Sequence, residues 1–185
     1  MTARSSVLVV SATESEARHL PDGVPVLITG IGKIAATLAL TRVLAGPDGS
    51  SIRHVINIGT AGALHDHHSG LFLPSTVFEH DLSAAELAAM GYPVTDRWDL
   101  PDGDGTVLAT GDTFVADPLR RAALADTADL VDMEGAAIAH VSARFGVECR
   151  LVKVVSDNAD EGAMDWPSLV DQAARVLGGW VTDHM

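Results

Sequence analysis

The chain has 185 residues, 47% of them apolar and 20% charged, enough to bury a sizeable core, and it is expected to fold as a single domain over residues 1–185. Asp and Glu outnumber Lys and Arg by 25 to 12, a formal net charge of −13, which argues against a nucleic-acid partner and its basic binding face. The single cysteine, Cys149, excludes an intrachain disulfide and a cysteine-built metal cluster.

In chain order, "SVLVVSA" (6–12) reads as a buried strand and "VPVLITG" (24–30) as another. The opening apolar stretch is too short for a signal peptide and acids follow it at once. No stretch approaches the roughly 18 apolar residues of a membrane span, so no membrane association is expected and a cytoplasmic location is. "KIAATLALTRVLA" (33–45) is helical in composition and stops before the breaker cluster "GPDGSS". "HVINIG" (54–59) is a third strand and "LFLPSTVFE" (71–79) a fourth, bent at Pro74 or confined to an edge.

"SAAELAAMG" (83–91) reads as a short helix capped by Ser83, with Glu86 in the capping-box position. "YPVTDRWDLPDGDG" is turn-rich and reads as a surface loop. "TVLATG" (106–111) is strand-like, and 117–125 is a helix with Pro118 in its first turn. A strand at 130–131, a helix at 134–145 and a strand at 150–156 follow, with Cys149 in the buried apolar run. The last helix opens at Trp166 and Pro167, with Leu169, Val170, Ala173, Leu177, Trp180 and Val181 as its apolar stripe. Strands alternating with helices predict an α/β domain with a mostly parallel or mixed central sheet flanked by helices.

Three motifs invite chemistry. "GIGKIA" fits G-x-G-x-x-A between a strand and a helix, the spacing that lets backbone approach a pyrophosphate. No acid ends the next strand to hold a ribose, and a plain tight turn fits equally well. "NIGTAGAL" (57–64) reads as a second glycine-rich turn, offering N–H groups and the Thr60 hydroxyl near the sheet's C-terminal edge. "HDHH" (65–68) is better explained as an exposed loop than as a metal site, and no metal is expected.

The acids are harder to dismiss. Asp132 and Glu134 follow one apolar run, Asp157 and Asp160 another, and Glu14 and Glu16 the first strand. Glu134 could simply favour a helix N-terminus, and Asp157 could cap a turn. Together they would line one edge of one sheet.

At these residues the chain resembles the nucleoside phosphorylase/nucleosidase superfamily, and within it the methylthioadenosine/S-adenosylhomocysteine nucleosidases. "TGIGKIAATLA", "NIGTAGAL", "GDTFV", "DMEGAAIAHVS" and "KVVSDNAD" occur in the family's order and roughly its spacing, from about Val7 to Asp160. The resemblance implies hydrolysis of the N-glycosidic bond of an adenosine-type nucleoside without metal or organic cofactor, by a homodimer. It makes Asp157 the donor of a proton to purine N7 and Glu16 the acid that activates water. It puts Glu134 on the ribose hydroxyls and Met133 against the sugar. Phe114 and Val115 fall on the base. Thr60 and Lys153 fall beside the nucleophilic water, with Lys153 where the family usually has arginine. Ile31 falls near the 5′ substituent.

Asn57 stands where family phosphorylases place a phosphate-binding arginine, so water is the expected nucleophile. Between Glu16 and Gly30 the chain lacks the family's additional strands, which implies a reduced sheet. The middle segment that shapes the 5′ pocket keeps little of the family pattern, leaving the 5′ group open. The alternatives are a phosphate-dependent phosphorylase, a dinucleotide-binding oxidoreductase built on "GIGKIA", and an inactive nucleoside-binding module.

Overall fold

A computed structural model describes residues 6–160 and 166–185. The elements run β1 (Val7–Ser11), β2 (Val26–Ile28), α1 (Lys33–Leu44), β3 (His54–Ala63), β4 (Leu71–Phe72), β5 (Thr76–Glu79), α2 (Ala84–Ala89), β6 (Arg97–Asp99), β7 (Val107–Thr110), α3 (Pro118–Ala125), β8 (Leu130–Asp132), α4 (Gly135–Phe145), β9 (Glu148–Asp157) and α5 (Trp166–His184). Among the described residues, nine strands form one mixed sheet, with β2-β1-β3-β8-β7-β5-β6 as its main path.

β3 is the hub. Along one edge it pairs in parallel with β9 from His54 to Gly62. Its other edge takes β1 in parallel at His54–Asn57, then β8 antiparallel at Gly62 and Ala63. The "NIGTAG" segment is therefore strand and not the turn its glycines suggest, because two neighbours supply a hydrogen-bond ladder that outweighs poor strand propensity. The β3–β9 register slips between Ala61 and Gly62, leaving Ser156 as an extra residue on β9. That bulge bends the end of β9 immediately before Asp157.

Alternation along the strands sorts the core into two faces. Val55 and Leu151 point into a cluster with Leu40, Leu44 and Ile138 from α1 and α4. Ile56, Ile58, Val152 and Val154 point the other way, against Ala173, Leu177 and Val181 of α5. The helical stripe of α5 holds except at Leu169, which is exposed while Ala174 is buried. Cys149 lies in the first cluster, and burial pushes its thiol up to about 12.

Other expectations are adjusted. Pro74 does not bend one strand but separates two, β4 pairing with β9 and β5 with β7. The supposed loop before residue 106 contains β6, which pairs antiparallel with β5. Ser83 precedes α2 but its side chain makes no cap bond. Asp117 does cap α3, its Oδ1 accepting from the N–H groups of Leu119 and Arg120 at 2.9 Å each. The stretch between Glu16 and Gly30 holds only the three-residue β2.

Candidate active site

The C-terminal ends of β1, β3 and β9 meet the end of β8 around a single cavity, the usual place for a ligand on an open α/β sheet. Glu16, Ile31, Thr60, Phe114, Val115, Met133, Glu134 and Asp157 all line it. Lys153 does not. The acids that the sequence leaves scattered over 140 positions thus face one space.

Glu16 sits in the turn after β1 and is almost fully buried. Its Oε1 accepts from the Thr60 N–H at 2.8 Å and the Thr60 hydroxyl at 2.9 Å. Its Oε2 accepts from the Thr13 hydroxyl at 3.0 Å, and the Thr13 Oγ1 in turn accepts from the Glu16 N–H at 3.2 Å. The T-x-x-E spacing thus gives half of a capping box, the Thr13 hydroxyl accepting from the Glu16 N–H, while the Glu16 side chain takes the Thr13 hydroxyl and not its backbone N–H. The Trp166 indole N–H donates to Thr60 Oγ1 at 2.7 Å, so the start of α5 holds the same hydroxyl that faces Glu16.

Asp157 is fixed from its own segment. Its Oδ1 accepts from the Ala159 N–H at 2.9 Å and its Oδ2 from the Ser156 hydroxyl at 2.7 Å. The turn that does this puts Ala159 at φ 51°, a conformation non-glycine residues seldom adopt. Across from it Gly62 leaves no room for a side chain: a Cβ there would lie 2.9 Å from the Ala159 Cβ and 3.1 Å from Asp157 Oδ1.

Glu134 precedes α4 but does not cap it. The cap is Asp132, whose Oδ2 accepts from the Gly135 N–H at 2.9 Å, while Thr110 links Asp132 Oδ1 (2.6 Å) to the Ala136 N–H (3.0 Å). Glu134 is thereby free to turn into the cavity, where its Oε1 accepts from the Gly32 N–H at 2.6 Å. Burial first, then the neighbouring Asp132 charge, pushes its carboxyl up from 4.5 to about 7, against the opposing pull of Lys153.

Lys153 lies beneath the cavity, fully buried, its ammonium 2.8 Å from Asp132 Oδ2 and 2.9 Å from Asn57 Oδ1. Its expected place beside the nucleophile is corrected to one beneath the cavity floor, since period-2 alternation points it with Leu151 toward α4.

The pyrophosphate reading of "GIGKIA" meets a physical obstacle. The N–H of Gly32 donates to Glu134, and that of Lys33 donates to Asp112 Oδ1 at 2.8 Å. Carboxylates already hold the donors that an anionic phosphate would need. The histidines of "HDHH" pack on one another after β3, where Asp66 pairs with Arg121 at 2.6 Å, outside the acidic cavity.

Sequence reading missed Thr13, Asp132 as the true cap, and Trp166. The T-x-x-E spacing of Thr13 and Glu16 carried a usable signal; nothing local marked Trp166, whose partner lies 106 positions away.

The sequence profile of the Phosphorylase superfamily matches residues 104–177. The chain is 30% identical over 182 residues to a 5′-methylthioadenosine/S-adenosylhomocysteine nucleosidase of Shewanella frigidimarina, covering 82% of this chain and 76% of the relative. A Shewanella oneidensis nucleosidase of the same name matches at 30% over 185 residues, covering 82% of this chain and 75% of that protein. In fold, the Helicobacter pylori 5′-methylthioadenosine/S-adenosylhomocysteine nucleosidase superposes with a TM-score of 0.82 at 23% identity, covering 97% of this chain and 98% of the other. The futalosine hydrolase of Helicobacter pylori, as a mutant, gives 0.82 at 22% identity, with 97% and 99% covered. With its sheet, its acid-lined cavity and these relatives in agreement, the chain belongs to the nucleoside phosphorylase/nucleosidase superfamily, among the 5′-methylthioadenosine/S-adenosylhomocysteine nucleosidases, and is an N-glycosyl hydrolase acting on purine nucleosides.

Proposed function

We propose that the substrate is an adenosine-type nucleoside with a 5′ substituent such as methylthio or homocysteinyl, cleaved by water to the free base and the ribose derivative. Asp157, in its protonated form, delivers a proton to purine N7, which makes the base a better leaving group; general acid catalysis of this kind contributes about 10²–10⁴-fold. As the glycosidic bond stretches, the sugar gains oxocarbenium character. Glu16 takes the proton of the attacking water, with Thr60 fixing its carboxylate. Glu134 accepts hydrogen bonds from the ribose hydroxyls, Met133 lies against the sugar, and Phe114 and Val115 receive the base. Ile31, 57% exposed at the cavity mouth, meets the 5′ group and not the protein core.

The observation that carries this reading is the charge of the cavity. Glu16, Asp132, Glu134 and Asp157 line it and no Lys or Arg does, among the described residues. A phosphate dianion placed there would face four carboxyl groups, and the Lys153 ammonium beneath them is already paired with Asp132, so water is favoured over phosphate as nucleophile. A homodimer is part of the proposal: Ile34 and Leu38, a turn apart on α1, are 82% and 56% exposed, close in sequence to Ile31. A single, buried, unpaired Cys149 suits a reducing compartment, and the cytoplasm is the proposed location.

Incubation with 5′-methylthioadenosine, with and without phosphate, tests it. Adenine release at the same rate in both arms supports the reading; phosphate-dependent release makes the enzyme a phosphorylase, and binding without release makes it a silent module. Light scattering of the wild type and Ile34→Asp tests the dimer, which the substitution is expected to dissociate.

A further inference from the structure

We propose that Lys153, beneath the cavity, and Asp132, on its wall, form a positioning device for the reaction, anchoring the start of α4 and so holding Glu134 where it meets the sugar. The proposal rests on the ribose role of Glu134 given above. Both side chains are buried, with 2% and 1% of their surface exposed. Buried ion pairs stabilise little by themselves, because desolvation cancels much of their attraction. A role in placing other groups explains the arrangement better than stability does.

The connections run both ways from the ammonium. Toward α4, Asp132 Oδ2 receives Lys153 at 2.8 Å and the Gly135 N–H at 2.9 Å, fixing the first turn next to Met133 and Glu134. Toward β3, Asn57 Oδ1 receives Lys153 at 2.9 Å, and the Asn57 amide donates to the Val10 carbonyl at 3.1 Å. One cation therefore ties β1, β3, β8 and β9 together directly under the site. The charges of Asp132 on β8, Lys153 on β9 and Glu16 after β1 all act on Glu134. Before α1 the Gly32 N–H donates to it; the next residue, Lys33, is paired through its side chain with Glu79 and Asp81 and through its N–H with Asp112, and Asp157 lies on the same cavity. Among these, Asp132 favours a proton on Glu134 and Lys153 opposes one. The two members of the pair push the same carboxyl in opposite directions.

That opposition gives a test a purely structural pair would not pass. Carboxyl ¹³C NMR titration of Glu134, assigned with Glu134→Gln, is compared in wild type, Lys153→Met, Lys153→Arg and Asp132→Asn, alongside kcat and KM for 5′-methylthioadenosine. Lys153→Met is expected to move the Glu134 titration up by about one unit and Asp132→Asn down by about one unit. Lys153→Arg keeps the charge and is expected to leave the titration where it is. The acid limb of kcat/KM should follow each shift. Movement in the same direction, or none in a folded variant, overturns the proposal. If the single charge removals do not fold, the neutral double variant Lys153→Met/Asp132→Asn, which leaves no charge unpaired, carries the test. A KM raised at least about tenfold with kcat little changed supports positioning, and an unchanged KM refutes it. A pH limb that survives Glu134→Gln condemns the ribose assignment instead, and the NMR titration judges the pair independently of it.

Discussion

Thr60 gives both its backbone N–H and its hydroxyl to the same oxygen of Glu16, at 2.8 and 2.9 Å. The central strand thus pins the turn that follows the first strand, and an acid 44 positions upstream becomes part of the cavity wall. With Thr13 on its other oxygen, the Glu16 carboxylate is surrounded by donors. Glu16→Gln must turn an amide NH₂ toward one set of those donors. It is expected to cost about 1–3 kcal/mol of stability and to lower kcat by at least about 10²-fold, measured by thermal melts and adenine release.

Trp166 supports the same hydroxyl through its indole N–H at 2.7 Å. Trp166→Phe keeps an aromatic wall and removes that bond. A neutral hydrogen bond is worth about 0.5–1.5 kcal/mol, so kcat/KM is expected to fall about two- to tenfold. Steady-state kinetics check this; a loss beyond about 10²-fold would mean the indole has a larger part than holding Thr60.

Gly62→Ala probes the floor under Asp157. The added methyl would press on the Ala159 Cβ at 2.9 Å, Asp157 Oδ1 at 3.1 Å and Val131 Cγ1 at 3.2 Å. Overpacking of this kind costs about 1–3 kcal/mol, and the cheapest relief is to shift the Asp157 turn. We expect kcat to fall more than KM rises, which full kinetic curves would separate from a general loss of fold.

Glu134 links function to pH. Its carboxyl is raised from 4.5 to about 7 by burial and by Asp132. Between those values the folded chain holds a proton that the unfolded chain has released, so stability falls as pH rises through that window. The full penalty above it is on the order of 3 kcal/mol. Glu134→Gln is expected to be more stable than wild type at pH 8 and about equal at pH 4, by denaturant melts. The same substitution should raise KM, because an ionised carboxylate accepts hydrogen bonds from both ribose hydroxyls. Wild-type kcat/KM should decline as pH drops below about 7.

Much of this was legible in the sequence where the signal is local. The β-branched runs gave β1, β8 and β9, Asp117 and Pro118 marked the start of α3, and acids at strand ends pointed to the cavity. What escaped depends on neighbours distant in sequence. Arg97–Asp99 is polar and becomes a strand only because β5 lies alongside. Gly59 and Gly62 hid the second half of β3 because a glycine-rich strand is stabilised by its partners and not by its own side chains. Glu134 and Asp132 are two residues apart, and composition alone cannot say which caps the helix and which faces the ligand. Lys153 resembled a group beside the water, but its orientation depends on the pairing of β9 with β3.

The most direct test of the proton-donor assignment is single-turnover release of adenine from 5′-methylthioadenosine by Asp157→Asn. With an unchanged melting temperature and retained nucleoside binding, the rate is expected to fall by at least about 10²-fold. A folded Asp157→Asn that releases adenine at close to the wild-type rate would contradict the account.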